Sequence, residues 1–198
     1  MIRSLLFTLA LIQGNTTTPA PKTVMVAVQT ELGAIEVEVD LARAPLSAAN
    51  FLEYVDKKFY DGGVINRSVR PDNTTRRDVE IQVIQFQSDQ GRSRELRPAI
   101  PLERTSLTGI RHKDGVLSMA RSGPDTATSS FFITIGDQPE LDFGGKRNAD
   151  GQGFGAFGRV VSGMEIVKKI QASTTGTKGA YGTETLEPPI KIVSAIRK

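Results

Sequence analysis

Val24-Met25-Val26-Ala27-Val28-Gln29-Thr30-Glu31-Leu32-Gly33-Ala34-Ile35-Glu36-Val37-Glu38-Val39-Asp40 holds two runs of alternation around a turn. Val24, Val26 and Val28 fall on one side of an extended chain. Ile35, Val37 and Val39 fall on one side of the next, opposite Glu36, Glu38 and Asp40. Period-two alternation marks a half-buried strand. Glu31-Leu32-Gly33 can turn between the runs, so the stretch predicts a β-hairpin with one wet face.

Beyond the hairpin, Pro45 sits where a helix can start. Leu46, Ala49, Leu52 and Val55 keep helical spacing, with Ser47, Asn50, Glu53 and Asp56 expected to face away. Tyr60-Asp61-Gly62-Gly63 is a turn, and a loop runs from Arg70 to Asp78. Strands are expected over 64–69, 79–86, 115–121, 131–135 and 154–161, and a last one carries Ile190, Ile192, Ser194 and Ile196. Gly136 to Gly153 is long, glycine-rich and reads as a loop. Ser162 and Glu165 have capping-box spacing ahead of a helix with Ile166, Val167 and Ile170. Roughly eight strands and two helices without a βαβ rhythm make the chain mainly β, a closed antiparallel barrel or a sandwich. The two helices suit the ends of a barrel, and no boundary divides residues 23–198.

The 198 residues are enough for a real core, and 38% hydrophobic with 24% charged residues excludes a disordered or fibrous chain. The absence of Cys excludes a disulfide scaffold, thiolate-bound zinc and a thiol nucleophile; a single His leaves a metal site dependent on carboxylates. A net charge of +3 is not the footprint of a dedicated nucleic-acid binder. Met1 to Lys22 stands apart. Arg3, the short apolar run Leu5 to Ile12 and the polar spacer Gln13 to Pro21 have the order and size of a secretory signal peptide. The run is too short to span a bilayer. Residues 1–22 are therefore expected to be removed, and the mature protein to be periplasmic or secreted.

Several motifs fail on context. Gly153-Phe154-Gly155-Ala156-Phe157-Gly158 fits G-x-G-x-x-G but leads into a strand rather than a helix. Asn148-Ala149-Asp150-Gly151 lacks the acids a calcium loop needs at its ends. His112 lies in the charged turn Arg111-His112-Lys113-Asp114-Gly115 and reads as a solvated or capping residue. The Arg-rich stretch from Arg67 to Arg121 also holds many acids and reads as a solvated face. Two polar residues interrupt apolar faces. Parity puts Arg67 with Ile65 and Val69, and Gln85 with Val79, Ile81 and Val83. A half-buried guanidinium needs acceptors, and a glutamine carbonyl is one. Pattern alone leaves this reading level with its alternative, an arginine snorkelling from a strand end.

Phe59-Tyr60-Asp61-Gly62-Gly63-Val64-Ile65-Asn66-Arg67 is similar to the cyclophilin segment in which a Tyr-x-Gly turn leads to Phe-His-Arg, and Val83-Ile84-Gln85 to the following Met-x-Gln. Gly115-Val116-Leu117-Ser118-Met119-Ala120-Arg121-Ser122-Gly123-Pro124-Asp125-Thr126 closely resembles the family's Gly-x-Leu-Ser-Met-Ala-x-x-Gly-Pro-x-Thr. Ser129-Ser130-Phe131-Phe132-Ile133, Leu141-Asp142 and Phe157-Gly158-Arg159-Val160-Val161-Ser162-Gly163-Met164 resemble its later blocks, in order. The resemblance implies an eight-stranded antiparallel barrel capped by two helices and a peptidyl-prolyl cis-trans isomerase that needs no cofactor or metal. It implies Arg67 as the catalytic arginine and Gln85 as the glutamine that holds it. Val83, Phe132 and Leu141, joined by Phe154, become walls of a proline pocket, and Ala120 and Arg121 the segment whose backbone pairs with substrate.

Some positions depart from the family. Ile65-Asn66 replaces Phe-His, Gln82 stands near the pocket phenylalanine, Ser130 replaces Gln, Glu140 stands where some members have Trp, and Phe154 where many have His. These bear on substrate preference and on affinity for cyclosporin-type inhibitors. The expected partners are X-Pro segments of folding exported polypeptides. The mature protein is expected to be a monomer with no nucleic-acid or membrane partner. The alternative is a low-turnover proline-binding chaperone or scaffold of the same fold. A hydrolase or metal enzyme on an unrelated barrel lacks a visible nucleophile–base pair or ligand cluster.

Overall fold

The computed structural model describes residues 22–198 apart from position 96; the expected signal peptide lies outside the described residues. Its first element is the expected hairpin. Strand β1 (Thr23–Thr30) pairs antiparallel with β2 (Gly33–Asp40) across a two-residue turn, Thr30 opposite Gly33. Val26, Val28, Ile35, Val37 and Val39 are buried, as the alternation requires. Six further strands follow: β3 (Val64–Val69), β4 (Val83–Gln87), β5 (Val116–Met119), β6 (Phe131–Thr134), β7 (Gly155–Ser162) and β8 (Thr185–Arg197). They close into one antiparallel barrel in the order β1-β2-β7-β5-β6-β4-β3-β8. Closure leaves no open edge to pair with another chain.

Helix α1 (Pro45–Asp56) packs on β2, β7 and β8, while α3 (Met164–Gln171) touches β2 on one side of the ring and β3 and β4 on the other. A helix that reaches opposite strands must lie across the mouth of the barrel. A single helical turn, α2 (Thr105–Thr108), precedes the β5 region and was not expected from the sequence. The barrel interior is filled by the aliphatic residues of the strands and a cluster of rings. Phe131 stacks on Phe86 at 4.4 Å and meets Phe51 and Tyr60 edge-on. The Tyr60 hydroxyl donates to the Ser129 carbonyl at 2.7 Å, so the buried polar tip is satisfied.

Three local readings change. The buried face of α1 is rotated: Ala48, Phe51, Leu52, Tyr54 and Val55 point inward, while Leu46 is 46% exposed and Ala49 faces solvent. The large rings at 51 and 54 decide the face, and the series of smaller residues does not. Ser47 and Asn50 are consequently buried; the Asn50 amide donates to the Thr128 carbonyl at 2.6 Å, and the Ser47 N–H to Glu103 at 2.6 Å. Helix α3 has Gly163, not Ser162, as its N-cap, and no side-chain cap bond forms. Gly163 has φ +91, and a Cβ there would collide with the backbone of Ala34 and Ile35, so the close approach of β2 selects glycine. Residues 79–82 run outside the ladder, and β4 starts only at Val83.

Candidate functional site

The most consequential difference from simple parity lies in β3. Ile65 pairs with Phe86 and Arg67 pairs with Gln85, so Asn66 is an extra residue bulged out of the ladder. The same shift occurs against β8, where Ile65 faces Ile190 but Arg67 faces Thr185. Pro188 and Pro189 lie in the interrupted part of β8 and cannot donate to a ladder. A bulge moves side chains to the other face. Ile65 therefore packs inside the barrel, whereas Arg67 and Val69 turn outward; the expected shared face of Ile65 and Arg67 does not exist. Strand β4 is regular, so Val83 and Gln85 point out while Ile84 and Phe86 point in.

The outward side chains meet a second, smaller apolar cluster of Val69, Ile81, Val83, Phe132 and Leu141, with Ala120 and Phe154 packed against it. Phe154 stands edge-on to Phe132 at 5.3 Å. The cluster floors a cleft of about 480 Å³. All eight residues singled out from sequence line this cleft: Arg67, Val83, Gln85, Ala120, Arg121, Phe132, Leu141 and Phe154. Gln82 does not; its side-chain carbonyl accepts from Gln171 at 3.2 Å, and Ile81 beside it enters the cluster.

Arg67 is held more firmly than one glutamine could hold it. Its Nη1 donates to Gln85 Oε1 at 3.2 Å. Its Nε and Nη2 both donate to Glu184 Oε2, at 2.9 and 2.6 Å. The ion pair is largely removed from water, with side chains 21% and 7% exposed. Thr74 Oγ1 donates to the other Glu184 oxygen at 2.8 Å, so the buried carboxylate has acceptor work for both atoms. Tyr181 completes the clamp. The guanidinium sits 4.8 Å from its ring centroid, and its hydroxyl accepts from Gln85 and Gln87 at 3.2 and 3.0 Å. Three of the five guanidinium N–H groups are spent, and two remain on a side chain that lines the cleft.

Glu184 and Tyr181 escaped the sequence reading because they lie in a loose Gly/Thr stretch more than 100 residues from Arg67. One signal pointed to them. A half-buried guanidinium needs a counter-charge, and glutamine offers only a dipole.

The other wall is built on Arg121, whose side chain is only 1% exposed, contrary to a solvated face. It lies 5.1 Å from the Phe154 ring centroid, donates to the Gly153 carbonyl at 2.8 Å and makes a bidentate pair with Asp150 at 2.8 and 2.9 Å. That pair holds the Asp150 carboxyl down at about 2, chiefly through the hydrogen bonds from Arg121. Gly153 has φ +66, and a Cβ there would strike the backbone of Asp142, so the long loop returns to β7 against the Leu141–Asp142 turn.

His112 is the second correction. It is 1% exposed and lies beneath the cup, its ring stacked 6.0 Å from Phe132. Nδ1 bonds Asp142 Oδ1 at 2.8 Å and Nε2 bonds Ser118 Oγ at 2.9 Å. The charges of Arg111, Lys113 and Asp114 face water while the imidazole tucks inward. Burial works to raise the Asp142 carboxyl; the hydrogen bonds from His112 and the charge of Arg111 outweigh it, leaving it below its ordinary value. The line Ser118–His112–Asp142 has the connectivity of a nucleophile triad, yet Ser118 is fully buried and no substrate can reach its oxygen. Its role is to tie the floor of the cup to β5.

An antiparallel eight-stranded barrel with an apolar cup beside a clamped guanidinium defines a barrel protein built to bind an apolar group next to a fixed donor. Residues 25–197 match the family model "Cyclophilin type peptidyl-prolyl cis-trans isomerase/CLD", and the chain belongs to that family of enzymes. It is 34% identical over 171 residues to a peptidyl-prolyl cis-trans isomerase of Acinetobacter baylyi, covering 86% of this chain and 83% of that one. It is 36% identical to peptidyl-prolyl cis-trans isomerase A of Dickeya dadantii, covering 86% and 82%. Among solved structures, a cyclophilin type isomerase from Cryptosporidium parvum, crystallised in the presence of the dipeptide Ala-Pro, shares the fold. Its TM-score is 0.67 at 19% identity, covering 88% of this chain and 98% of that one.

Proposed function

We propose that this isomerase turns X-Pro bonds of exported polypeptides in the cleft at Arg67. Rotation about an amide is opposed by ~18–20 kcal/mol of resonance. In the twisted state the prolyl nitrogen is pyramidal and regains its lone pair. The two unspent N–H groups of Arg67 can donate to that nitrogen or to the adjacent carbonyl. A donor fixed beforehand and better matched to the twisted than to the planar state lowers the barrier by differential binding. The cup of Val83, Phe132, Leu141 and Phe154 holds the proline ring while the chain on its N-terminal side turns. The Ala120 N–H is already bonded to the Ser130 carbonyl at 2.9 Å, so a peptide lying along residues 120–121, just past the end of β5, pairs with the Ala120 carbonyl and the Arg121 N–H.

The observation that carries this reading is the Arg67 clamp: a guanidinium held by Gln85 and Glu184 beside an apolar cup. The exported destination rests on the charged, apolar and polar segments of residues 1–22. Expression of the full chain in a Gram-negative host tests it. Recovery from the periplasm with a new N-terminus in the Gly14–Lys22 region supports export; an uncleaved cytoplasmic product overturns it. Acceleration of the slow, proline-limited refolding of an exported protein by the processed enzyme, lost in Arg67→Ala, would support the substrate class.

A further inference from the structure

Four guanidinium groups line the cleft, those of Arg67, Arg76, Arg121 and Arg147. Three are neutralised by a carboxylate: Glu184 at 2.6 Å, Asp78 at 2.9 Å and Asp150 at 2.8 Å. Arg147 has no such partner among the described residues. Its one side-chain hydrogen bond runs from Nη1 to the Val79 carbonyl at 3.1 Å, which leaves most of its five N–H groups unspent. The next residue repeats the pattern. Asn148 lines the same cleft, and its Nδ2 is buried beneath the surface without an acceptor. A buried amide without a partner is destabilising by itself.

These donors are not on a floppy arm. The Arg147 backbone N–H donates to the Glu140 carbonyl at 3.1 Å, the Asn148 carbonyl accepts from the Gly151 N–H at 3.0 Å, and Arg76 reaches the Arg147 carbonyl at 3.4 Å. Burial, and then the neighbouring Arg67 charge, hold the Arg147 pKa below its ordinary value, so an anion brought alongside would be welcome.

We propose that Arg147 selects X-Pro segments that carry an acidic side chain next to the proline. The inference rests on the cleft being where the X-Pro peptide lies, because the anion then arrives as part of the peptide. A carboxylate there accepts from Arg147 and neutralises the one uncompensated guanidinium of the cleft. A basic neighbour of proline meets the same charge as repulsion.

The test is kcat/KM of the full chain on peptides with Glu, Gln or Lys placed immediately before or immediately after the proline. Glu should exceed Gln by about threefold to tenfold at one of the two positions, and Lys should fall below Gln. The preference should shrink as salt is added. In Arg147→Gln the Glu and Gln peptides should be turned over alike, and in Arg147→Glu the Lys peptide should overtake the Glu peptide. The Gln peptide, measured in every variant, normalises for any general loss of activity. Equal wild-type rates on Glu and Gln, or a Glu preference that survives Arg147→Gln, overturns the inference alone. No turnover of any peptide overturns the isomerase reading of the cleft and this inference with it.

Discussion

Glu184→Gln keeps the size of the side chain and removes its charge. In the native cleft Glu184 Oε2 takes two of the three hydrogen bonds that hold Arg67. An arginine side chain carries about 2 kcal/mol of rotamer entropy, so it must be held to stay aimed. Hydrogen bonds to charged groups contribute about 1.5–3 kcal/mol each, and neutral ones roughly half as much. Halving both bonds by replacing the carboxylate with a neutral carbonyl therefore removes about 1.5–3 kcal/mol of orienting free energy, or about 10- to 150-fold in kcat. Glu184 does not itself line the cleft, so KM should stay within about twofold. Isomerisation rates over a range of X-Pro peptide concentrations separate the two constants, and a urea titration reports whether the variant is folded. A folded Glu184→Gln with wild-type kcat would refute the positioning role. A rise in kcat would show that the carboxylate damps the guanidinium rather than aiming it.

Phe132→Leu shrinks the floor of the cup without touching the clamp; KM should rise about threefold to tenfold with kcat nearly unchanged, as loss of ring contact without loss of the donor requires. Asp142→Asn removes the charged acceptor beneath the cup and should lower stability by about 1–3 kcal/mol, read from the urea midpoint. The pH dependence follows from the lowered carboxyl of Asp142. Its folded pKa lies below the ordinary 3.8, so its stabilisation is complete above 3.8 and is lost as pH falls through the lower folded value. Stability measured from pH 6 down to pH 2 should fall less steeply in Asp142→Asn than in the wild type; parallel curves would contradict the assignment.

The hairpin and the approximate positions of the strands were legible from local alternation, and the eight cleft residues from short motifs that resemble those of a known family. Val26 to Val39 could bury one face in only one register, and the Leu117–Ser118–Met119–Ala120 block carries its own resemblance. What escaped depends on contacts between distant segments. The bulge at Asn66 leaves no mark in the composition of β3, yet it alone turns Arg67 away from Ile65. Glu184 reaches Arg67 from just ahead of β8, the neighbouring strand, out of a segment with no regular pattern. His112 was misread because its neighbours are charged; only the fold shows that Asp142 and Ser118 wait on the inner side. The face of α1 was misjudged for a different reason, since spacing was weighed without ring size. Arg147 and Asn148 lie in a loop whose glycines announce irregularity but not what its side chains do.

Arg67→Ala is the most direct trial of the site. Exchange between the cis and trans forms of a short X-Pro peptide, followed by NMR, reads catalysis without any coupled reaction. With the full chain, exchange should be fast, and in Arg67→Ala it should fall about 10²- to 10³-fold, the usual cost of removing a preorganised donor from a transition state. A folded Arg67→Ala that still accelerates exchange like the wild type would mean that the clamped guanidinium is not what turns the bond.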